Sequence, residues 1–202
     1  HGFGGVDVMD NNIEGTLHTM SEGLLTTGVT SFLPTTLTSS YEQLLAVTEN
    51  IGVHYQEASG AKIRGLYFEG PYFTEKYKGA QNPAYMKDPR MDEFRAWQKA
   101  SNGLLNKIAL APEREGVEEF VRTITDEGVT VALGHSNATY DEAKTAVEAG
   151  ASVWVHAYNG MRGLTHRELG MVGAMYELPH TYAELICDGH HVDPKACDIL
   201  LK

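Results

Sequence analysis

Cysteine, positive charge and long apolar runs are all scarce in this chain of 202 residues. Two cysteines, Cys187 and Cys197, are too few for a disulfide framework. One stands in an apolar strand-like run and one in a helical pattern, and both read as reduced packing thiols. With 16 Lys and Arg against 27 Asp and Glu, the net charge is −11. That balance argues against nucleic acid or an anionic membrane surface as the main partner. It leaves room for a small phosphorylated ligand, which needs only one or two local cations. No apolar stretch reaches transmembrane length and none has the shape of a signal peptide, so a cytoplasmic protein is expected. A Gly-rich phosphate loop after the first strand is also lacking, which disfavours a doubly wound nucleotide-binding sheet.

What is present is a globular composition, 42% hydrophobic and 21% charged, in a chain long enough to bury a core. It starts at His1-Gly2 and stops at Lys202 inside a helical pattern, so it reads as an excerpt from a longer polypeptide. Helical and strand patterns alternate along it. Helices are expected at about 15–27, 40–57, 91–100, 116–127 and 140–149, with a last one opened by Asp193 and Pro194. The first should bury Leu17, Met20, Leu24 and Leu25 on one side. Strands are expected at 29–34, 63–68, 107–111, 130–133, 152–155 and 182–187, and residues 72–89 form a long aperiodic loop. Strands alternating with helices imply an α/β fold with a parallel sheet. Polar residues follow many different strands, which favours a (β/α)8 TIM barrel with its chemistry at the strand ends. Six strands cannot close that barrel. The expectation is one partial barrel domain over residues 1–202, with its first and last strands outside the chain.

Three strand ends carry most of the chemical information. LYFEGP places Glu69, VALGHS places His135 and VWVHAYNG places His156 at the ends of apolar, β-branched runs. Packing gives no reason to end three core strands on ionisable groups, whereas metal coordination compensates for burying them. Two His and one carboxylate form a divalent-metal shell with a position open for water. His1, in HGFGG, would follow the first barrel strand and could serve a second ion. Asp188-Gly189-His190-His191 ends the last strand and could bind an anion or substrate, or be a solvated turn. Arg167 is either an anion clamp or a surface arginine. His18, His54 and His180 are most simply surface residues.

In order along the chain, HGFGGVDVMD, TSFLPTT, GLYFEGPY, KGAQNP, LAPE, TVALGHSNA, HAYNGM and ICDGHHVDP resemble the N-acetylglucosamine-6-phosphate deacetylase family of the amidohydrolase superfamily. The resemblance spans essentially the whole chain. It implies a (β/α)8 barrel with a small β-sandwich built by chain ends that this sequence does not contain. It also implies that Glu69, His135 and His156 bind the catalytic metal, with zinc expected and iron, manganese or cobalt as alternatives. The positions matching Ala80, Gln81, Asn159, Gly160, Arg167 and Asp188 to His191 contact the amino-sugar phosphate. Arg167 and His191 would hold its phosphate, with His191 contributed across a homodimer interface. The implied reaction is hydrolysis of N-acetylglucosamine 6-phosphate to glucosamine 6-phosphate and acetate. Two departures stand out. Gln81 occupies a position where many members carry His, so it can donate a hydrogen bond but cannot become cationic. The family's catalytic Asp follows the eighth strand, beyond Lys202, so no catalytic residue is assigned within this chain. Alternatives are a dihydroorotase-like or deaminase-like metal amidohydrolase, or an inactive sugar-phosphate-binding fragment.

Overall fold

Short β-branched runs alternate with capped amphipathic segments, and the structure follows that rhythm. The computed structural model describes residues 1–10 and 15–202. The chain forms two compact units, His1–Pro71 with Arg90–Ile108, and Tyr72–Pro89 with Ala109–Lys202.

The first unit opens with an antiparallel pair, β1 (Gly2–Phe3) and β2 (Val6–Asp7). Helix α1 (Thr16–Thr26) buries Leu17 and Met20 and stops ahead of Gly28, whose φ is 86°. Leu25 does not share the buried stripe and is 46% exposed. It lies five residues past Met20, about 140° around the helix. The unit continues through β3 (Ser31–Phe32), β4 (Thr35–Thr36), α2 (Tyr41–His54), β5 (Lys62–Ile63), β6 (Leu66–Glu69) and α3 (Met91–Ala100). It ends in β7 (Leu105–Leu110), which runs on into the second unit. β3 pairs with β5 and β4 with β6, both in parallel.

Two expected strands are therefore shorter than the sequence suggests. The 29–34 run yields only β3, and Pro34, which has no N–H to donate, separates it from β4. The 63–68 run breaks between β5 and β6 at Gly65, whose φ is 153°. A Cβ at Gly65 would stand 2.2 Å from Asn106 Nδ2, and that amide donates to Arg64 O at 2.9 Å. Helix α2 begins where Ser40 predicts, because Ser40 Oγ accepts the Gln43 N–H at 3.1 Å. It buries Leu44, Val47 and Ile51. From α3, the Trp97 ring lies 5.0 Å from Phe68 and 5.8 Å from Tyr41, closing an aromatic cluster in the core of this unit.

In the second unit, residues 72–89 hold two single 3-10 turns, Glu75–Tyr77 and Pro83–Tyr85. Helix α4 (Val117–Asp126) buries Val117, Phe120, Val121 and Ile124, an i, i+3, i+4, i+7 stripe. Strand β8 (Thr130–Leu133) leads to α5 (Tyr140–Glu148), where Thr139 and Glu142 form a reciprocal capping box. Strand β9 (Val153–Trp154) pairs in parallel with β8 on one side. Helix α6 (Gly170–Glu177) is invisible to sequence patterning, because Gly170 and Gly173 lower its helix propensity. Burial of Met171, Ala174 and Met175 sustains it instead. Strand β10 (Tyr182–Ala183) pairs in parallel with β9, and α7 (Pro194–Leu200) closes the unit. The Asp193 carboxylate caps α7 by accepting the Lys195 N–H at 2.8 Å.

The strand expected over 182–187 stops at Ala183. Its partner β9 gives way to a left-handed residue, His156 at φ 33°, so the ladder turns away within a few residues. Both cysteines are free, and Cys187 is exposed and not a packing thiol. Among the described residues, no helix is long and apolar enough to cross a membrane.

Candidate metal centre

The second unit places His135 two residues past β8 and His156 two residues past β9, on neighbouring parallel strands. Their Nε2 atoms are 3.0 Å apart. His135 is buried and His156 partly so. His135 Nδ1 lies 3.0 Å from Tyr77 O. A carbonyl only accepts, so His135 Nδ1 carries the hydrogen, and neutral His135 presents Nε2 as a lone pair. On the other side of His135, the Phe73 ring packs at 4.5 Å between centroids.

This arrangement needs unusual backbone. His135, His156 and Tyr158 all adopt positive φ, at 46°, 33° and 74°. Non-glycine residues in that region cost about 1–3 kcal/mol each and persist only where their surroundings hold them. The Thr74 N–H donates to His135 O at 3.1 Å, and the Ser136 N–H to Gly160 O at 3.0 Å. Tyr158 anchors the His156 turn by donating from its hydroxyl to Ala196 O at 2.9 Å, and it also bonds to the Tyr176 hydroxyl. Burial, then the Tyr176 contact, pushes the Tyr158 phenol above its ordinary pKa. Gly160 backs the ring of His135: its φ is 59°, and a Cβ there would lie 3.1 Å from His135 Nδ1 and 3.3 Å from Tyr77 O.

Glu69 ends β6 in the first unit, partly buried. Among the described residues, Glu69, His135 and His156 make up a group able to hold a metal ion, one carboxylate and two imidazoles. The imidazole pair fits such an ion. Two nitrogens each ~2.0–2.1 Å from a tetrahedral zinc would lie about 3.3 Å apart, close to the 3.0 Å seen here. The Nδ1–H to backbone carbonyl bond is the usual outer partner of a ligating imidazole.

Comparison with known proteins gives this geometry its context. No protein-family model matches the chain. It is 44% identical to the N-acetylglucosamine-6-phosphate deacetylase of Vibrio furnissii, over 98% of this chain and 50% of that protein. It is 42% identical to the N-acetylgalactosamine-6-phosphate deacetylase of Escherichia coli, over 98% and 53%. A mutant N-acetyl-D-glucosamine-6-phosphate deacetylase from Mycobacterium smegmatis, solved in complex with N-acetyl-D-glucosamine-6-phosphate, matches with a TM-score of 0.89 at 29% identity, over 99% of this chain and 51% of that one. Over nearly its whole length the chain is similar to N-acetylglucosamine-6-phosphate deacetylases. It spans about half the length of the curated relatives it matches. The expected amidohydrolase barrel is the fold these neighbours share with it.

The remaining family positions are scattered over the two units. His1, in the first, is exposed and pairs through Nδ1 with Asp7 Oδ2 at 2.8 Å. Gln81 is buried at 4% exposure, while Ala80 beside it is exposed. Asn159 and Gly160 sit in the His156 turn, and Arg167 is exposed on the segment before α6. Asp188 organises its own turn. Its Oδ1 accepts the His190 and His191 N–H groups at 2.9 and 3.0 Å, and its Oδ2 meets His191 Nδ1 at 2.6 Å. The His191 backbone N–H, then that of His190, then the His191 ring bring the Asp188 pKa down to about 2. Sequence reasoning missed Tyr77, which sets the His135 tautomer, since a backbone acceptor leaves no trace in side-chain pattern.

Two outcomes follow for the full-length protein. Gly160→Ala should break the His135–Tyr77 bond, and nitrogen NMR of His135 should then show a mixture of tautomers in place of a single Nδ1–H form. A depressed carboxyl pKa contributes stability above the ordinary range and loses it as pH falls through the folded value. Asp188 should therefore stay ionised at about pH 3, where an ordinary Asp is mostly protonated. A carboxyl carbon titration centred near the ordinary value would contradict the turn geometry.

Proposed function

We propose that the protein containing this chain hydrolyses the acetamide of an N-acetylated amino-sugar 6-phosphate, with N-acetylglucosamine 6-phosphate as substrate. The products are glucosamine 6-phosphate and acetate. The observation that carries the reading is the His135–His156 pair, with its 3.0 Å Nε2 separation and a tautomer fixed by Tyr77. It supports a single divalent cation held by Glu69, His135 and His156. Zinc suits these donors best, and iron, manganese and cobalt accept the same set. When bound, such an ion supplies Lewis-acid activation of water and of an amide carbonyl.

The chain's own residues do the rest of the binding in this reading. Gln81 donates a neutral hydrogen bond to the acyl oxygen from its side-chain amide. Ala80, Asn159, Gly160 and Asp188 face the sugar. Arg167 grips the phosphate with a bidentate guanidinium, and His191 reaches the phosphate of a second copy in a homodimer. Remote binding of this kind orients the amide for attack. The acid–base step is assigned to no aspartate of this chain. His1, beside Asp7, is held in reserve for a second ion. A cytoplasmic setting is part of the proposal, because free Cys187 and Cys197 suit a reducing compartment.

The relatives named above are deacetylases, which favours amide hydrolysis over ring opening or deamination. One of them acts on the galactosamine epimer by name, so N-acetylgalactosamine 6-phosphate is the second reading. Acetate release by the full-length protein from both sugar phosphates, side by side, separates the two. Glu69→Gln should lose most of the bound metal by elemental analysis, and wild-type metal content would refute ligation. Arg167→Ala should lower kcat/KM for the phosphorylated sugar by about 10–100-fold. An equal loss on unphosphorylated N-acetylglucosamine would exclude its role as phosphate clamp.

A further inference from the structure

Glu113 lies just past β7, in the segment LAPE, and the reaction outlined above gives it no part. Strand-end placement drew attention to Glu69 and applies equally to Glu113, yet its carboxylate points to a different task. Glu113 Oε2 accepts the Ser136 hydroxyl at 2.6 Å, and Glu113 Oε1 accepts the Asn137 N–H at 2.7 Å. Both donors follow His135 directly in sequence. Ser136 is fully buried, and its Oγ in turn accepts the Ala138 N–H at 2.9 Å. One carboxylate thus satisfies two donors of the turn that forces His135 to a φ of 46°. Charge-assisted bonds of this length are the strong class of hydrogen bond.

We propose that Glu113 is a positioning residue for His135: it holds the strained turn so that the Nε2 lone pair keeps its aim. The idea rests on the metal reading above for its consequence, but the restraint itself is a property of the metal-free chain. Without Glu113, the turn can relax toward ordinary backbone, and His135 O and Nδ1 leave Thr74 N and Tyr77 O. Tight packing alone does not replace the carboxylate, because a buried Ser136 hydroxyl and Asn137 N–H would lose their acceptor together.

The test uses the full-length protein with Glu113→Ala, Glu113→Gln and Ser136→Ala, read by zinc competition against a chelating dye and by amide hydrogen exchange of the metal-free form. Glu113→Ala should weaken zinc binding by about 10–100-fold, the range expected for an outer partner of a ligand. The Thr74 amide, which donates to His135 O, should exchange at least about tenfold faster, from the same loss of restraint. Glu113→Gln should fall between wild type and Glu113→Ala, since its oxygen can still accept from Asn137. A lowered Tm with wild-type zinc affinity and wild-type Thr74 protection would mean a merely structural role and overturn the proposal. If the wild-type protein takes up no zinc, the metal reading fails, and Thr74 exchange alone decides whether Glu113 restrains His135. Should Glu113→Ala not fold, the two milder variants carry the same measurements.

Discussion

The hydrogen bond from His135 Nδ1 to Tyr77 O is the constraint on which the rest of the centre depends. It fixes which nitrogen of a buried imidazole carries the proton, and so whether the opposite nitrogen can be a ligand at all. Everything nearby protects that bond. Phe73 covers one face of the ring, Gly160 leaves room beside Nδ1, and the His135 carbonyl is tied to Thr74. The imidazole of His156 then meets a lone pair whose direction is already settled.

That protection explains why the turns after β8 and β9 tolerate backbone that most residues avoid. A strand end that simply faded into solvent could not keep His135, His156 and Tyr158 at positive φ. Here each turn is tied down from more than one side, by Glu113 and Thr74 at the first and by the Tyr158 hydroxyl on both α7 and Tyr176 at the second. The restraints come from segments distant in sequence, with Glu113 past β7, Thr74 in the 72–89 loop and Ala196 in α7. Parallel pairing itself is thus what lets a polar cluster form there.

Much of this was legible in the sequence because the signals were local. Ser40 and Asp193 announced their helices through cap chemistry, and α3 and β8 fell on their expected bounds. Glu69, His135 and His156 stood out because ionisable groups ended apolar runs. What stayed hidden was decided by partners far along the chain. Asn106 breaks the strand at Gly65, and burial rather than propensity builds α6. Tyr77 contributes only a backbone carbonyl. Glu113 could have been found, since it too follows an apolar strand, but the groups it holds are named only by the fold.

The left-handed turns also limit how this protein can be made hardier. Positive φ is the conformation in which glycine or asparagine relieves backbone strain, so at His135, His156 and Tyr158 any gain in heat resistance from a relaxed backbone is set against the packing and hydrogen bonds of the side chain lost. At either histidine, each gain would remove an imidazole. A lineage bred only for thermal tolerance would therefore tend toward a sturdier barrel with blunted chemistry, whereas stabilisation in the aromatic cluster around Trp97 carries no such conflict.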